Sequence, residues 1–69
     1  MSEIQLEING EKKTLSSVSN VTELLRALCI SENRVAVEVN RRIIRRGEWE
    51  STPLADMDHV EIVQFVGGG

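Results

Sequence analysis

His59-Val60-Glu61-Ile62-Val63-Gln64-Phe65-Val66-Gly67-Gly68-Gly69 is a run of stiff, mostly apolar residues that passes directly into three glycines. The Val and Ile side chains branch at Cβ, which suits a pleated, half-buried strand. Side chains alternate across a strand, so Val60, Ile62 and Val66 share one face, with Gln64 interrupting them. His59, Glu61, Val63 and Phe65 share the other. A charged Glu61 identifies the face that does not meet the core. The parity therefore predicts that the first face packs on a helix and that Val63 and Phe65 stand on the outer face. An apolar pair there, one of them aromatic, reads as a docking surface for a partner protein.

Working back from this strand, each preceding element carries its own local signal. Ile4, Leu6 and Ile8 alternate with Glu3, Gln5 and Glu7, and Asn9-Gly10 follows at once. Period-2 patterning before Asn-Gly predicts a hairpin, because a type I′ turn needs positive φ at both central residues. The return strand runs through Lys12-Lys13-Thr14-Leu15. Asn20 with Glu23 three residues on reads as an N-cap and capping box, and Val21, Leu24, Leu25 and Leu28 then form one helical face. This helix is expected to end near Cys29. Val35, Val37 and Val39 mark a third strand, Asn40-Arg41 a turn, and Ile43-Ile44 a short fourth strand. Residues 45–58 read as irregular chain fastened by Trp49 and Leu54. The order β-β-α-β-β-β gives an α+β domain, a mixed sheet of about five strands with one main helix packed on one face.

Size and composition narrow the function. A chain of 69 residues sits near the lower limit for a self-supporting core. Trp49 and Phe65 are its only aromatics, so the core must come from eight valines, six leucines and six isoleucines. That supply covers a sheet with a helix but does not wall off a deep substrate cavity, and an independent enzyme is not expected. A net charge of −3 disfavours general nucleic-acid binding. The single cysteine excludes an internal disulfide and provides no metal cluster. Neither a bilayer-length apolar run nor a secretory-type start at Met1-Ser2-Glu3 is present, and a cytoplasmic protein is the expectation.

Few side chains offer chemistry. Cys29, beside Leu28 and Ile30, reads as a small buried hydrophobe rather than a reactive thiol. His59 is the only histidine and its parity points outward, so no Cys-His-Asp constellation can be assembled. Arg41, Arg42, Arg45 and Arg46 hold four of the eight Lys and Arg residues. Ile43 and Ile44 split that cluster and no aromatic platform accompanies it. It reads as a solvated turn and edge strand, where charge also discourages edge pairing, rather than as a phosphate patch. Gly10 and Gly47 are isolated and the glycine triplet follows a strand, so no phosphate-binding loop is present. Any ATP used must be bound by another protein.

The remaining candidate is the tail. Glycine is about 7% of average composition, so a triplet at a chosen site arises by chance roughly once in 3,000. Lacking Cβ, Gly67 and Gly68 make a slender arm that could thread a narrow channel and carry the α-carboxylate of Gly69 to a reactive centre. Residues 1–66 are thus expected to form one domain and 67–69 a tail.

The run Glu61 to Gly69, the Val35-Ala36-Val37-Glu38-Val39-Asn40 strand and the Ile43-Ile44 to Trp49 segment resemble the ThiS family, the sulfur carriers of the thiamine pathway. The likeness covers essentially the whole chain and implies a ubiquitin-like β-grasp fold. It departs at Met57, where many relatives place glycine in an acidic turn. The resemblance implies that a ThiF-type adenylating enzyme, using ATP and magnesium, activates the Gly69 carboxylate. Sulfur originating from a cysteine desulfurase would then give a terminal thiocarboxylate, and a ThiG-type thiazole synthase would take that sulfur. On this reading the chain is a carrier that binds no cofactor itself, with Gly67 and Gly68 threading the tail and Val63 and Phe65 meeting the partner. Three alternatives stay open: a sulfur carrier for molybdopterin or another metabolite, a ubiquitin-like modifier conjugated to proteins through Gly69, and a passive interaction module.

Overall fold

The computed structural model describes residues 3–65. Its elements are β1 (Glu3–Ile8), β2 (Glu11–Ser16), α1 (Val21–Ala27), β3 (Val35–Val39), β4 (Arg42–Ile44), a 3₁₀ turn (Arg46–Glu48) and β5 (His59–Gln64). The strands form one sheet in the order β2-β1-β5-β3-β4. β5 runs parallel to β1 and antiparallel to β3, and the two hairpins β1–β2 and β3–β4 flank it. The last strand in the chain is therefore the central strand of the sheet.

Both hairpins turn on asparagine. Asn9 has φ 51° and Gly10 φ 83°, the paired positive values that Asn-Gly supplies at little steric cost. Asn40 and Arg41 repeat the geometry at φ 51° and 69°, although Arg41 has no glycine-like freedom. The helix start also follows its sequence signal. Asn20 Oδ1 accepts the Glu23 N–H at 2.8 Å, and Glu23 Oε1 accepts both the Ser19 N–H and the Ser19 hydroxyl at 2.8 Å. The carboxylate thus reaches one residue further back than the capping box requires. The Ser19 hydroxyl bond, then the Ser19 backbone bond, hold the Glu23 carboxyl below its ordinary range, with Arg26 adding to the effect.

The helix end corrects one expectation. α1 stops at Ala27 with its cap at Leu28, near Cys29 as expected, but Cys29 is exposed rather than buried. The cause is a Schellman arrangement. Ile30 N–H donates to Leu25 O at 2.9 Å and Cys29 N–H to Arg26 O at 3.0 Å, with Cys29 in the left-handed region at φ 59°. That reversal points Cys29 outward and returns Ile30 to the core edge, where it packs with the buried residues.

Val21, Leu24 and Leu25 of α1 are fully buried. They share one core with Leu6 and Ile8 of β1, Val37 and Val39 of β3, Ile44 of β4, and Val60 and Ile62 of β5. Trp49 and Leu54 fasten the long segment before β5 as expected. The Trp49 Nε1–H donates to Ile44 O at 3.0 Å, and the Leu54 N–H donates to Ser19 O at 3.0 Å. Burying these two side chains removes one edge of the helix–sheet layer from water, at roughly 25 cal/mol for each Å² of apolar area covered.

Candidate functional site

β5 is held along both edges. Its register with β3 pairs Val60 with Val39, Ile62 with Val37 and Gln64 with Val35, and with β1 it pairs His59 with Glu7 and Val60 with Ile8. Where the β1 backbone turns away at Asn9, the Asn9 side chain takes over the ladder. Its Oδ1 accepts the Ile62 N–H at 2.7 Å, and its Nδ2 donates to Ile62 O at 3.1 Å. Asn40 does similar work from the other hairpin. Its Oδ1 accepts the His59 N–H at 3.0 Å, its own N–H donates to His59 O at 2.7 Å, and its Nδ2 donates to Asp58 Oδ1 at 3.0 Å. Both turn asparagines therefore clamp β5, a role that reading them only as turn residues does not reveal. At the far end the Phe65 N–H donates to Arg34 O at 2.8 Å, carrying the fastening one residue past the strand.

The side-chain parity of β5 is as expected. Val60 and Ile62 are buried, whereas Val63 is 54% and Phe65 58% exposed. On the outer face Val63 lies beside Ala36. Phe65 borders an open groove with Ser31, Asn33, Arg34, Val35 and Gln64. A third large apolar side chain, Ile43, is 71% exposed on β4 while its neighbour Ile44 is buried. The sequence reading assigned Ile43 to a strand and not to this face. Gly67, Gly68 and Gly69 lie outside the described residues, as does Val66.

His59 lies on the surface as its parity predicts, whereas the arginine cluster departs in part from its reading. His59 is exposed, with Nδ1 3.8 Å from Glu7 Oε2. Arg46 stacks 6.0 Å above the Trp49 ring, an aromatic contact the sequence did not reveal, and donates to Asn33 Oδ1 at 3.1 Å, while Arg41 in the turn, Arg42 on the edge strand and Arg45 just before the 3₁₀ turn are exposed. Among the described residues no group of three or more His, Cys, Asp or Glu side chains could hold a metal ion. Among them, too, no helix is long and apolar enough to cross a membrane.

A mixed five-stranded sheet with the chain's last strand at its centre and a single helix on one face defines a ubiquitin-like β-grasp domain. The crystal structure of thiamine biosynthesis protein ThiS from Geobacter metallireducens has this fold. It aligns with a TM-score of 0.80 at 39% identity, over 96% of this chain and 100% of that one. Residues 4–69 match the ThiS family, and the chain belongs to it. It is 35% identical over 65 residues to the sulfur carrier protein ThiS of Bacillus subtilis, covering 93% of this chain and 98% of that protein. It is also 38% identical over 66 residues to a thiazole synthase of Paramagnetospirillum magneticum, of which those residues make up 20%. The chain spans about a fifth of the length of the two thiazole synthases it matches.

Proposed function

We propose that this chain is a sulfur carrier of thiamine biosynthesis, acting as a co-substrate for other enzymes through the α-carboxylate of Gly69. A ThiF-type enzyme, with ATP and magnesium, would convert that carboxylate to an acyl adenylate with release of pyrophosphate. Sulfur originating from a cysteine desulfurase would then displace AMP and leave a thiocarboxylate for a thiazole synthase. A carboxylate is a poor acyl donor until its oxygen becomes a good leaving group, and the adenylate supplies one. Gly67 and Gly68 give the arm its slimness, and Val63 and Phe65 give the adenylating enzyme its hold.

The observation that carries this reading is the family match running through Gly69 on a chain that exposes Val63 of its central strand, and Phe65 one residue past it, just upstream. The stretch shared with thiazole synthases supports the destination of the sulfur, since a domain of this kind occurs within such proteins. The test is ATP–pyrophosphate exchange with the purified ThiF-type enzyme of the same genome, followed by intact-mass measurement. Exchange that depends on this chain, then a mass gain equal to one oxygen replaced by sulfur at Gly69, is the expected result. Recovery of Gly69 joined to lysines of cellular proteins, without sulfur loading, would instead establish a ubiquitin-like modifier.

A further inference from the structure

β5 loses one neighbour before the tail begins. On the β1 side, Ile62 is the last of its described residues to be bonded, through Asn9. Beyond it, among the described residues, the chain is bonded only from the β3 side. Val63 pairs with Ala36, Gln64 pairs with Val35, and the Phe65 N–H donates to Arg34 O at 2.8 Å. That bond is the final backbone fastening among the described residues, and Gly69 lies four positions further along the sequence.

Arg34 offers its carbonyl from a disfavoured conformation. Its φ is 63°, in the left-handed region, one residue before β3 begins at Val35. Arginine has no special ease there, unlike glycine or asparagine. The chain is anchored on both sides of it. Before it, the Ile30 N–H donates to Leu25 O at 2.9 Å. Asn33 is bonded twice, its N–H to Ser31 Oγ at 3.2 Å and its Oδ1 from Arg46 at 3.1 Å. After it, β3 is fixed by its pairing with β5. With both ends held, a residue that rejects positive φ turns the intervening peptide, and the carbonyl leaves the Phe65 N–H.

We infer that Arg34 is a positioning residue for the Gly69 carboxylate, acting through its left-handed backbone and the bond from Phe65 rather than through its charge. The inference rests on the function proposed above. Val63 and Phe65 supply the hold on the adenylating enzyme, and Arg34 sets the direction in which the chain leaves that hold. Loss of the bond keeps both docking side chains but lets the carboxylate sweep a larger volume. It therefore slows activation more than it weakens docking.

The test compares Arg34→Val, Arg34→Gly and the unaltered chain in ATP–pyrophosphate exchange with the ThiF-type enzyme. Amide exchange at Phe65 and urea unfolding of each free protein are measured in parallel. Valine branches at Cβ and disfavours positive φ, whereas glycine accepts it and deletes the whole side chain. For Arg34→Val the expected result is a kcat about tenfold lower with KM nearly unchanged, and Phe65 amide exchange about fivefold faster. Arg34→Gly should keep kcat and Phe65 protection near those of the unaltered chain, although the guanidinium is gone. A backbone ester in place of the Gln64–Phe65 amide deletes the same donor without touching Arg34. It should match Arg34→Val in kcat, and it decides the question even where Arg34→Val does not fold. Equal losses in Arg34→Val and Arg34→Gly overturn the inference, since the side chain would then be the active part. Normal kcat in the ester variant, or a change confined to KM, overturns it as well. The proposed function stands in each of those outcomes. Failure of the unaltered chain to support exchange removes the proposed function, and this inference with it.

Discussion

Replacing Asn9 by alanine removes both bonds by which a hairpin turn grips the central strand. The 2.7 Å bond from Ile62 N–H and the 3.1 Å bond to Ile62 O both disappear. A typical hydrogen bond contributes about 1 kcal/mol net, and a donor or acceptor left unpaired in a partly buried place costs about 1–3 kcal/mol. Asn9 also has φ 51°, where a side chain with an ordinary Cβ costs roughly 1–2 kcal/mol that asparagine partly escapes. Together these give a loss of about 2–4 kcal/mol for Asn9→Ala. A domain of 69 residues has roughly 3–10 kcal/mol in all, so the variant should be near the edge of folding. Asn9→Gly separates the two causes. It deletes the same bonds but relaxes the backbone, and it should be about 1 kcal/mol more stable than Asn9→Ala. Urea unfolding, with an unchanged slope, gives the energies. Amide exchange at Ile62 should accelerate in both variants. An Asn9→Gly protein as stable as the unaltered chain, with normal Ile62 protection, would refute the clamp.

Four further outcomes follow from the same geometry. Met57 at φ 74° and Cys29 at φ 59° both occupy the left-handed region, and Met57 is 56% exposed, so Met57→Gly and Cys29→Gly should each raise stability by about 0.5–1 kcal/mol in urea. The Glu23 carboxyl is held below 4.5 in the folded state, so its bonds to Ser19 stabilise above that pH and are lost as pH falls through the folded value. Between about pH 6 and pH 3 the unaltered chain should therefore lose more stability than Glu23→Gln, a difference that thermal melts across that range would reveal. Phe65→Asp should weaken binding to the adenylating enzyme by about 2 kcal/mol or more and leave the unfolding midpoint nearly unchanged, as titration calorimetry and urea unfolding will show. An alanine added after Gly69 would move the carboxylate about 3.5 Å and add a Cβ, so it should abolish pyrophosphate exchange while still competing with the normal chain for the enzyme.

What the sequence makes legible is what neighbouring residues decide. Asn9-Gly10, the Asn20 N-cap, and the alternation of Val60, Ile62 and Glu61 each act over a few positions and form as read, although the Glu23 carboxylate closes on Ser19 rather than on Asn20. The asparagine clamps escape because Asn9 and Ile62 are 53 residues apart and Asn40 and His59 are 19 apart. Nothing local marks a turn residue as a cross-strand partner. Cys29 is misplaced because composition favours a buried thiol, while the 6→1 bond from Ile30 to Leu25 reverses the chain there and turns Cys29 outward. Ile43 and Ile44 are adjacent on a three-residue strand, so one must face out, and two similar residues give no parity signal. The bond from the Phe65 N–H to Arg34 O is likewise a matter of register, which depends on how β3 and β5 align.

The sheet order explains why a chain with so little side-chain chemistry could still serve enzymes. A strand at the sheet edge moves with local fraying, but β5 is paired on both sides and clamped by Asn9 and Asn40. Phe65, bonded to Arg34 O, is thus a fixed point rather than a loose end. Gly69 is four residues further along, and an extended chain advances at most about 3.6 Å per residue, so a tail of that length reaches roughly 14 Å from Phe65 to its last Cα at most. An enzyme that grips Val63 and Phe65 therefore confines the carboxylate to a small volume and converts a free encounter into an oriented one. Under the proposed function, the same limit would fix where an adenylating enzyme could place its nucleotide relative to its docking surface. Rigidity upstream and slimness downstream are complementary demands: a looser β5 would blur the fixed point, and bulkier residues at 67 and 68 would block a narrow approach. Under the proposed function, the placing of the tail would thus depend on Asn9 and Asn40 as much as on the glycines.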